Sequence, residues 1–487
     1  MGQKLRKYAN IIAVVMQIIA LAAVVVSFIM IDTESCYRLL WLWPLTFFVY
    51  SFFVFGPLAV IREDHLIGVF VISVFEFFPR YVLYPLAVSI AGPGYRGIEY
   101  AALTDSEIMM ALFMGVVELI AVGAFLYFLE RIKKKKEEIY NGSLELAGSS
   151  VVYGLFIIVA FAAYLFVGRQ NNVIQFLASA EADDEARGGL LLTLVKYVVS
   201  IGLLILTLLL IAALKKRYDV NHSRIYAYGG IIVAMFHTSF LVGTSRSTQI
   251  AVGVLMMLIL LRCFPSMKLE IIVSISAITI LAFSTITFMR TGNNSFFKTG
   301  TTAEMADKLQ IYFGGPQSLA QSVKAVKSVG KDNIGQMLFD FVRSCFPLNL
   351  IFKGYGYTTS QWYNLTIYDG RYPNGQLLFS SSFGYIFLGV FGIALDTCLN
   401  VFLLLLSCEY YNRAKSFEGK YLAGFCLIRF TFTVMENTPS VLGSVTQYIW
   451  TLGLLIVVSR ALNRQKQKKS MNYFPENRSD FKRRGYI

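Results

Sequence analysis

The chain of 487 residues is 56% hydrophobic and only 15% charged, with a mean hydropathy of +0.58; soluble domains run near roughly a quarter charged, so a soluble globular protein is excluded and an integral membrane protein is expected. A net charge of +14 taken alone would admit a nucleic-acid partner, but its placement along the chain assigns it to membrane topology. Six scattered cysteines without CxxC or Cys/His spacing, and only three His, at 65, 222 and 237, argue against a structural zinc or a disulfide framework.

A bilayer span needs roughly 20 apolar residues, and twelve stretches qualify. They are 10–31, 39–61, 66–90, 108–129, 151–167, 190–214, 225–242, 250–264, 271–289, 387–408, 421–435 and 441–458. No cleavable signal is expected, because the first stretch is long enough to span and no small-residue cleavage site follows it. With the N-terminus placed inside, 27 of the 44 Lys and Arg fall in cytoplasmic segments, while the short outer loops carry only Arg38, Arg96, Arg169, Arg187 and Arg246. The positive-inside rule then gives N-in, C-in, and the basic surface faces anionic inner-leaflet lipid. The expected fold class is therefore an all-α polytopic membrane protein of about twelve spans. Its blocks are 1–289 (spans one to nine), 290–376 (an extracytoplasmic cap loop), 377–460 (the last three spans) and 461–487 (a basic tail).

The interval 290–376 is the one long polar stretch, and loops of that length are functional lids or linkers more often than not. Its apolar and aromatic content argues for a folded cap. Thr301-x-x-Glu304 reads as a capping box, Pro316 as a helix start, and Asp332 as the cap of a helix carrying Met337, Phe339, Phe341 and Val342. Tyr355, Tyr357, Trp362, Tyr363, Tyr368 and Tyr372, set among Asn and Gln, suit sugar rings, whose faces are apolar and whose rims form hydrogen bonds; the same residues also serve as an interfacial belt.

Ionisable groups inside spans are expensive and mark functional sites by default. Glu76 and Arg80 stand four apart, one turn, so that a pair is feasible, with Pro79 and Pro85 positioned to kink the same helix. Arg429 and Glu436 share a face two turns apart. Arg246 sits in the turn Gly243-Thr-Ser-Arg246-Ser, and Arg290 where the ninth span emerges. Arginine carries a rigid fork of donors matched to phosphate oxygens, so these residues suit a membrane-anchored diphosphate; Arg246 and Arg290 also fit plain interface anchors. Tyr357 and Arg371 in the cap are further substrate-binding candidates. His237 reads as a core histidine and Lys196 as a snorkelling chain, while Glu118 and Asp396 have no partner nameable from sequence.

These features together resemble the Wzy-type polymerases of bacterial O-antigen and capsular repeat units. The resemblance rests on the outer turn at Gly243–Ser247, on Tyr312-Phe-Gly-Gly-Pro316 within a large late loop, and on the glycine-punctuated entry Phe383-Gly-Tyr-Ile-Phe-Leu-Gly389-Val-Phe-Gly392. It implies a glycosyltransferase-C-like fold in the bacterial cytoplasmic membrane with an extracytoplasmic active face. It implies inverting transfer of a glycan from undecaprenyl diphosphate to the terminal sugar of another lipid-linked repeat unit, without metal or other cofactor. Arg246 and Arg290, with Arg80 or Arg429, would neutralise the departing diphosphate. Glu436 is the first candidate base and Asp369 the second. Implied partners are the lipid-linked oligosaccharide, membrane lipid, a chain-length regulator and a flippase; nucleic acid has no place.

Other classes fit less well. O-antigen ligases typically carry a histidine in the large outer loop, and this loop has none. Transferases of the other polyprenol-sugar class place acidic residues in a substantial first outer loop, which here spans only 32–36. A lipid-linked oligosaccharide flippase or other transporter suits twelve spans, but no repeated interrupted helices stand out.

Overall fold

The structure, a computed structural model, describes residues 2–56, 61–92, 103–132, 139–140, 142–169, 173–176, 190–241, 246–291, 302–330, 333–352, 354–432 and 435–473. Among these residues the chain is helical, apart from a two-residue antiparallel pairing of Gln175–Phe176 with Phe240–Leu241 and an isolated bridge between Glu145 and Ser416. The helices in chain order are α1 (Gly2–Met30), α2 (Leu42–Phe55), α3 (Leu66–Ala91), α4 (Asp105–Ile132), α5 (Ser150–Gly168), α6 (Leu190–Asn221), α7 (Arg224–Ser239), α8 (Arg246–Cys263) and α9 (Lys268–Thr291). The cap contains α10 (Thr302–Phe313), α11 (Pro316–Val329), α12 (Ile334–Ser344), α13 (Leu348–Ile351) and α14 (Thr359–Ile367). After it come α15 (Ser380–Leu388), α16 (Val390–Arg413), α17 (Phe417–Thr431) and α18 (Thr438–Tyr473).

Eight helices among the described residues are long and apolar enough to cross a membrane: α1 from Tyr8, α3, α4, α5, α6 from Leu191, Pro265–Thr285 within α9 and its lead-in, α16, and α18 as far as Leu462. The stretches expected at 39–61, 225–242, 250–264 and 421–435 fold as α2, α7, α8 and α17, helices of 14, 16, 18 and 15 residues. Three of them have a local stop. Gly56 takes extended backbone at the end of α2; Phe240 leaves α7 to pair as a strand; Pro265, which has no amide N–H to continue the ladder, follows α8. Large apolar side chains such as Ile18, Val25 and Phe28 of α1, and Leu155 and Phe161 of α5, are exposed, as lipid-facing surfaces require.

The chain divides into two compact units. The second contains residues 140–295, 414–422 and 448–487; in it α6 packs between α5 and α7, and α9 packs on both α8 and α7. The first contains residues 1–139, 296–413 and 423–447, and α4 is its centre, flanked by α2, α16 and the cap helix α11. Trp43 of α2 lies against Gly115 of α4, where an added Cβ would stand 2.6 Å from the indole, and its Nε1 donates to the Leu112 carbonyl at 2.9 Å.

Two features of the first unit position its polar residues. The first is a tight turn between α15 and α16. Gly389 has φ +61, a left-handed conformation that glycine adopts without steric penalty. The two helices then approach so closely that a Cβ on Gly384 would stand 2.1 Å from the Gly392 carbonyl oxygen. The second is α3, which runs through two π-turns, Ser73–Phe77 and Pro79–Leu83. The kink expected from Pro79 is absorbed as a widened turn, because proline removes a donor and the hydrogen-bond register shifts.

The cap is folded. Ala325, Met337, Tyr363 and Ile367 from three of its helices close one apolar cluster with Leu378, Phe383, Ile386 and Phe387. Pro316 begins α11 as expected. Thr301 and Asp332, the two expected caps, lie outside the described residues; α10 begins at Thr302, and Asn333 caps α12 by accepting from the Gln336 N–H at 2.8 Å. The capping box of this segment is Thr358 with Gln361, opening α14.

Candidate functional site

The π-turns of α3 turn Glu76 and Arg80 into the interior of the first unit, where both are fully buried. The feasible Glu76–Arg80 pair is not the one that forms as a contact. Arg80 Nη1 stands 2.9 Å from Oε2 of Glu118 on α4, an ion pair off the hydrogen-bonding line, and Nη2 donates to Ser381 Oγ at 3.4 Å. The guanidinium also lies 5.3 Å from the Tyr81 ring and 5.8 Å from that of Trp43, a cation–π setting that partly replaces lost hydration. Glu118 takes two further donors, Tyr81 Oη at 2.8 Å and Thr397 Oγ1 at 3.2 Å.

Asp396 of α16 sits in a neighbouring knot of hydrogen bonds. Ser380 Oγ donates to one of its oxygens at 2.6 Å and Thr438 Oγ1 to the other at 2.7 Å. Asn400 Nδ2 ties those two hydroxyls together, at 3.0 and 2.6 Å. The N-termini of α15 and α18 thereby converge on one carboxylate, and the buried run Ser380–Ser382 lines the convergence.

Glu76 is the exception. It is fully buried, and neither carboxylate oxygen has a hydrogen-bond partner among the described residues. It is close enough to Arg80 and to Glu436 for their charges to act on it. Glu436 pairs with Arg429, whose Nη2 donates to Oε2 at 2.5 Å and whose Nε donates to Ser444 Oγ at 2.9 Å. The Arg429 side chain is 4% exposed and that of Glu436 20%, so the carboxylate is the member of the pair that reaches solvent.

Of the residues singled out in the sequence, Arg80, Arg429, Glu436 and Glu76 thus meet in the first unit. Asp369, Arg371 and Tyr357 lie elsewhere, exposed on the cap. Asp369 holds φ +49 in the turn after α14, and the Tyr357 carbonyl, rather than its ring, is engaged, accepting from Arg343 at 2.6 Å. Arg246 opens α8 and Arg290 ends in α9, both in the second unit; their side chains lie outside the described residues. His237 is half-buried, and its Nε2 has no hydrogen-bond partner among the described residues.

Sequence reasoning left Glu118 and Asp396 without partners and did not find the serine run at Ser380–Ser382, although three consecutive hydroxyls before a span are a readable signal. It also missed a second polar cluster. His65, just ahead of α3, is fully buried, with Nδ1 hydrogen-bonded to Glu130 and Nε2 to Glu409 at 2.9 Å. Where both carboxylates are ionised the ring must supply both N–H groups, as the imidazolium does.

Compared with protein-family models, with curated proteins and with solved structures, the chain matches none.

Proposed function

We propose that this membrane protein is a polysaccharide polymerase that extends lipid-linked oligosaccharide repeat units by inverting glycosyl transfer, with twelve membrane passages and both termini inside. The supporting observation is the Arg429–Glu436 pair: a partly exposed carboxylate, oriented by a buried arginine, whose charge acts on a second carboxylate, Glu76, that has no hydrogen-bond partner among the described residues. An acceptor hydroxyl attacks the anomeric carbon of the donor glycan, the bond from that carbon to the diphosphate oxygen breaks, and the hydroxyl proton passes to Glu436. The electron pair leaves with the polyprenyl diphosphate, a charge that needs cationic partners, for which the sequence offers Arg246 and Arg290. Arg429 acts as a positioning residue for the base. Arg80, sealed against Glu118, holds α3 and α4 in register, a narrower role than direct contact with diphosphate. Capsule, exopolysaccharide and O-antigen repeat units all fit this chemistry, and the bacterial cytoplasmic membrane is the compartment it requires.

The test is product length on a gel after purified protein in nanodiscs receives its lipid-linked repeat unit. Wild type should give a ladder, and Arg290→Ala and Glu436→Gln should not. One observation favours a second reading, a transporter for the same lipid-linked oligosaccharide. Glu76, Glu118 and Asp396 are buried carboxylates within helices long enough to span, and such groups also mark transport paths. Movement of unmodified repeat unit across the bilayer with no ladder would replace the polymerase with the transporter.

A further inference from the structure

The cap carries a cavity that the chemistry above does not use. It has a volume of about 680 Å³ and is lined by Gln336, Phe339 and Arg343 of α12, by Tyr355 and Tyr357 of the following loop, and by Trp362 of α14. Small-molecule sites run to about 300–1,000 Å³ with apolar walls and a few fixed polar groups, and this cavity has that build.

Its polar floor is Arg343, 6% exposed. Nη1 donates to the Tyr355 carbonyl at 2.9 Å and Nη2 to that of Tyr357, and the guanidinium pairs with Asp340. Asp340 in turn accepts the Thr359 N–H at 2.9 Å as well as its hydroxyl. The remaining donor, Nε of Arg343, is buried and has no partner among the described residues. The loop is shaped to make this arrangement. Gly354 and Gly356 have φ +88 and +67, and the turns they permit present both tyrosine carbonyls to the arginine.

We propose that this cavity is a binding site for a neutral saccharide. Four aromatic rings line the cavity, and Tyr355 and Tyr357 are 72% and 62% exposed, with Phe352 meeting the Tyr355 ring edge-on. Sugar rings present apolar C–H faces to such platforms and hydroxyls to a donor at the rim. Because Asp340 offsets the charge of Arg343, the cavity offers an anion no net attraction, which selects uncharged sugar over phosphate or uronate. Trp362 supplies the stacking face, and the exposed Tyr355 and Tyr357 supply hydroxyls that hydrogen-bond the sugar rim.

The identification of the saccharide as part of the glycan substrate rests on the polymerase reading; the cavity and its lining do not. The test uses the full chain in nanodiscs, titrated calorimetrically with a panel of short neutral oligosaccharides of hexose and N-acetylhexosamine, with inorganic pyrophosphate as competitor. Wild type should bind at least one of the panel, Trp362→Ala should weaken it by about tenfold or more, Trp362→Phe should recover most of the loss, and pyrophosphate should not compete. Tyr357→Ala, at an exposed ring, provides a second readout should Trp362→Ala fail to fold. The inference falls if no oligosaccharide binds, if the truncated rings bind as wild type does, or if pyrophosphate displaces the sugar. Oligosaccharide binding by a protein that makes no ladder would overturn the polymerase reading and leave the site standing; a ladder made without ring-dependent binding would do the reverse.

Discussion

Arg80 Nη1 lies 2.9 Å from Glu118 Oε2 across two helices, although Glu76 is one turn away on the same helix as the arginine. Both members are fully buried, and removing one partner from such a pair typically costs about 3–5 kcal/mol, because the survivor remains charged without water. Glu118→Ala and Arg80→Ala should each lower the unfolding temperature of the detergent-solubilised protein sharply. Arg80→Met combined with Glu118→Leu should be less damaging than either truncation, and a double-mutant cycle on thermal unfolding measures the difference. Equal, additive losses would show that the two side chains act independently.

The choice of Glu118 over Glu76 also shows what the sequence can and cannot carry. Spacing along one helix places Glu76 and Arg80 on one face and says nothing of α4, whose Glu118 takes the arginine instead. The π-turns that redirect both side chains depend on tertiary packing around Pro79 and have no reliable signature in composition. By contrast, the helical class and the start of α11 at Pro316 were legible, because each rests on local chemistry: apolar length and a missing N–H. Arg429 and Glu436 do pair, but not as two turns of one helix face: α17 ends at Thr431 and Glu436 stands in the turn beyond it. Of the four shorter helices, α2 departs most from its expected bounds: it ends at Phe55, ahead of a Gly56 in extended backbone, a stop that the apolar run continuing to Ile61 does not signal.

The close approach of Gly384 and Gly392 predicts a position-specific effect. A Cβ on Gly392 would stand 1.9 Å from the Gly384 carbonyl oxygen, and backbone on both sides leaves no flexible side chain to yield. Overpacking of this kind costs about 1–3 kcal/mol and sometimes more. Gly392→Ala and Gly384→Ala should therefore lower the folded yield and the unfolding temperature, while Gly453→Ala, with nothing within 4 Å of the new methyl, should be neutral or slightly stabilising through better helix propensity. Size-exclusion profiles after a heating series separate these outcomes.

His65 gives a pH dependence with a defined sign. Burial pushes its pKa down, but the bond to Glu130 and that carboxylate's charge, with Glu409 and Asp64 adding, push it further up, so the folded value lies above the ordinary one. The cluster's contribution to stability is then fully present below the unfolded value of roughly 6.5 and is lost as pH rises through the folded value. The unfolding temperature of wild type should exceed that of His65→Asn at mildly acidic pH, and the gap should shrink toward alkaline pH. A gap that widens with pH would mean the histidine is neutral in the folded protein.

Asn437 joins the cap to α18. Its Nδ2 donates to Ser360 Oγ of α14 at 2.9 Å and to the Leu378 carbonyl at 3.2 Å, while its Oδ1 accepts the Ser440 N–H at 3.1 Å as the helix cap. Asn437→Ala removes all of these. The lost cap alone should cost about 1 kcal/mol, and the lost tether should speed hydrogen exchange in α14 more than in α4, whose packing it does not touch. Uniform acceleration across the protein would point to global destabilisation.

Glu436 and Arg429 separate chemistry from stability. Glu436 is the partly exposed member of the pair and Arg429 the buried one, so losing the carboxylate's charge and losing the guanidinium have different consequences. Glu436→Gln keeps shape and an acceptor for Arg429 but cannot hold the proton of an attacking hydroxyl; polymer formation should fall by about 10²–10⁴-fold, the usual contribution of a general base, with little change in the unfolding temperature. Arg429→Gln leaves the base in place but unoriented and frees Ser444 as well, so activity should fall less and stability more. Initial rates of ladder formation, measured for wild type and both variants at matched folded fraction, decide between a base and a brace.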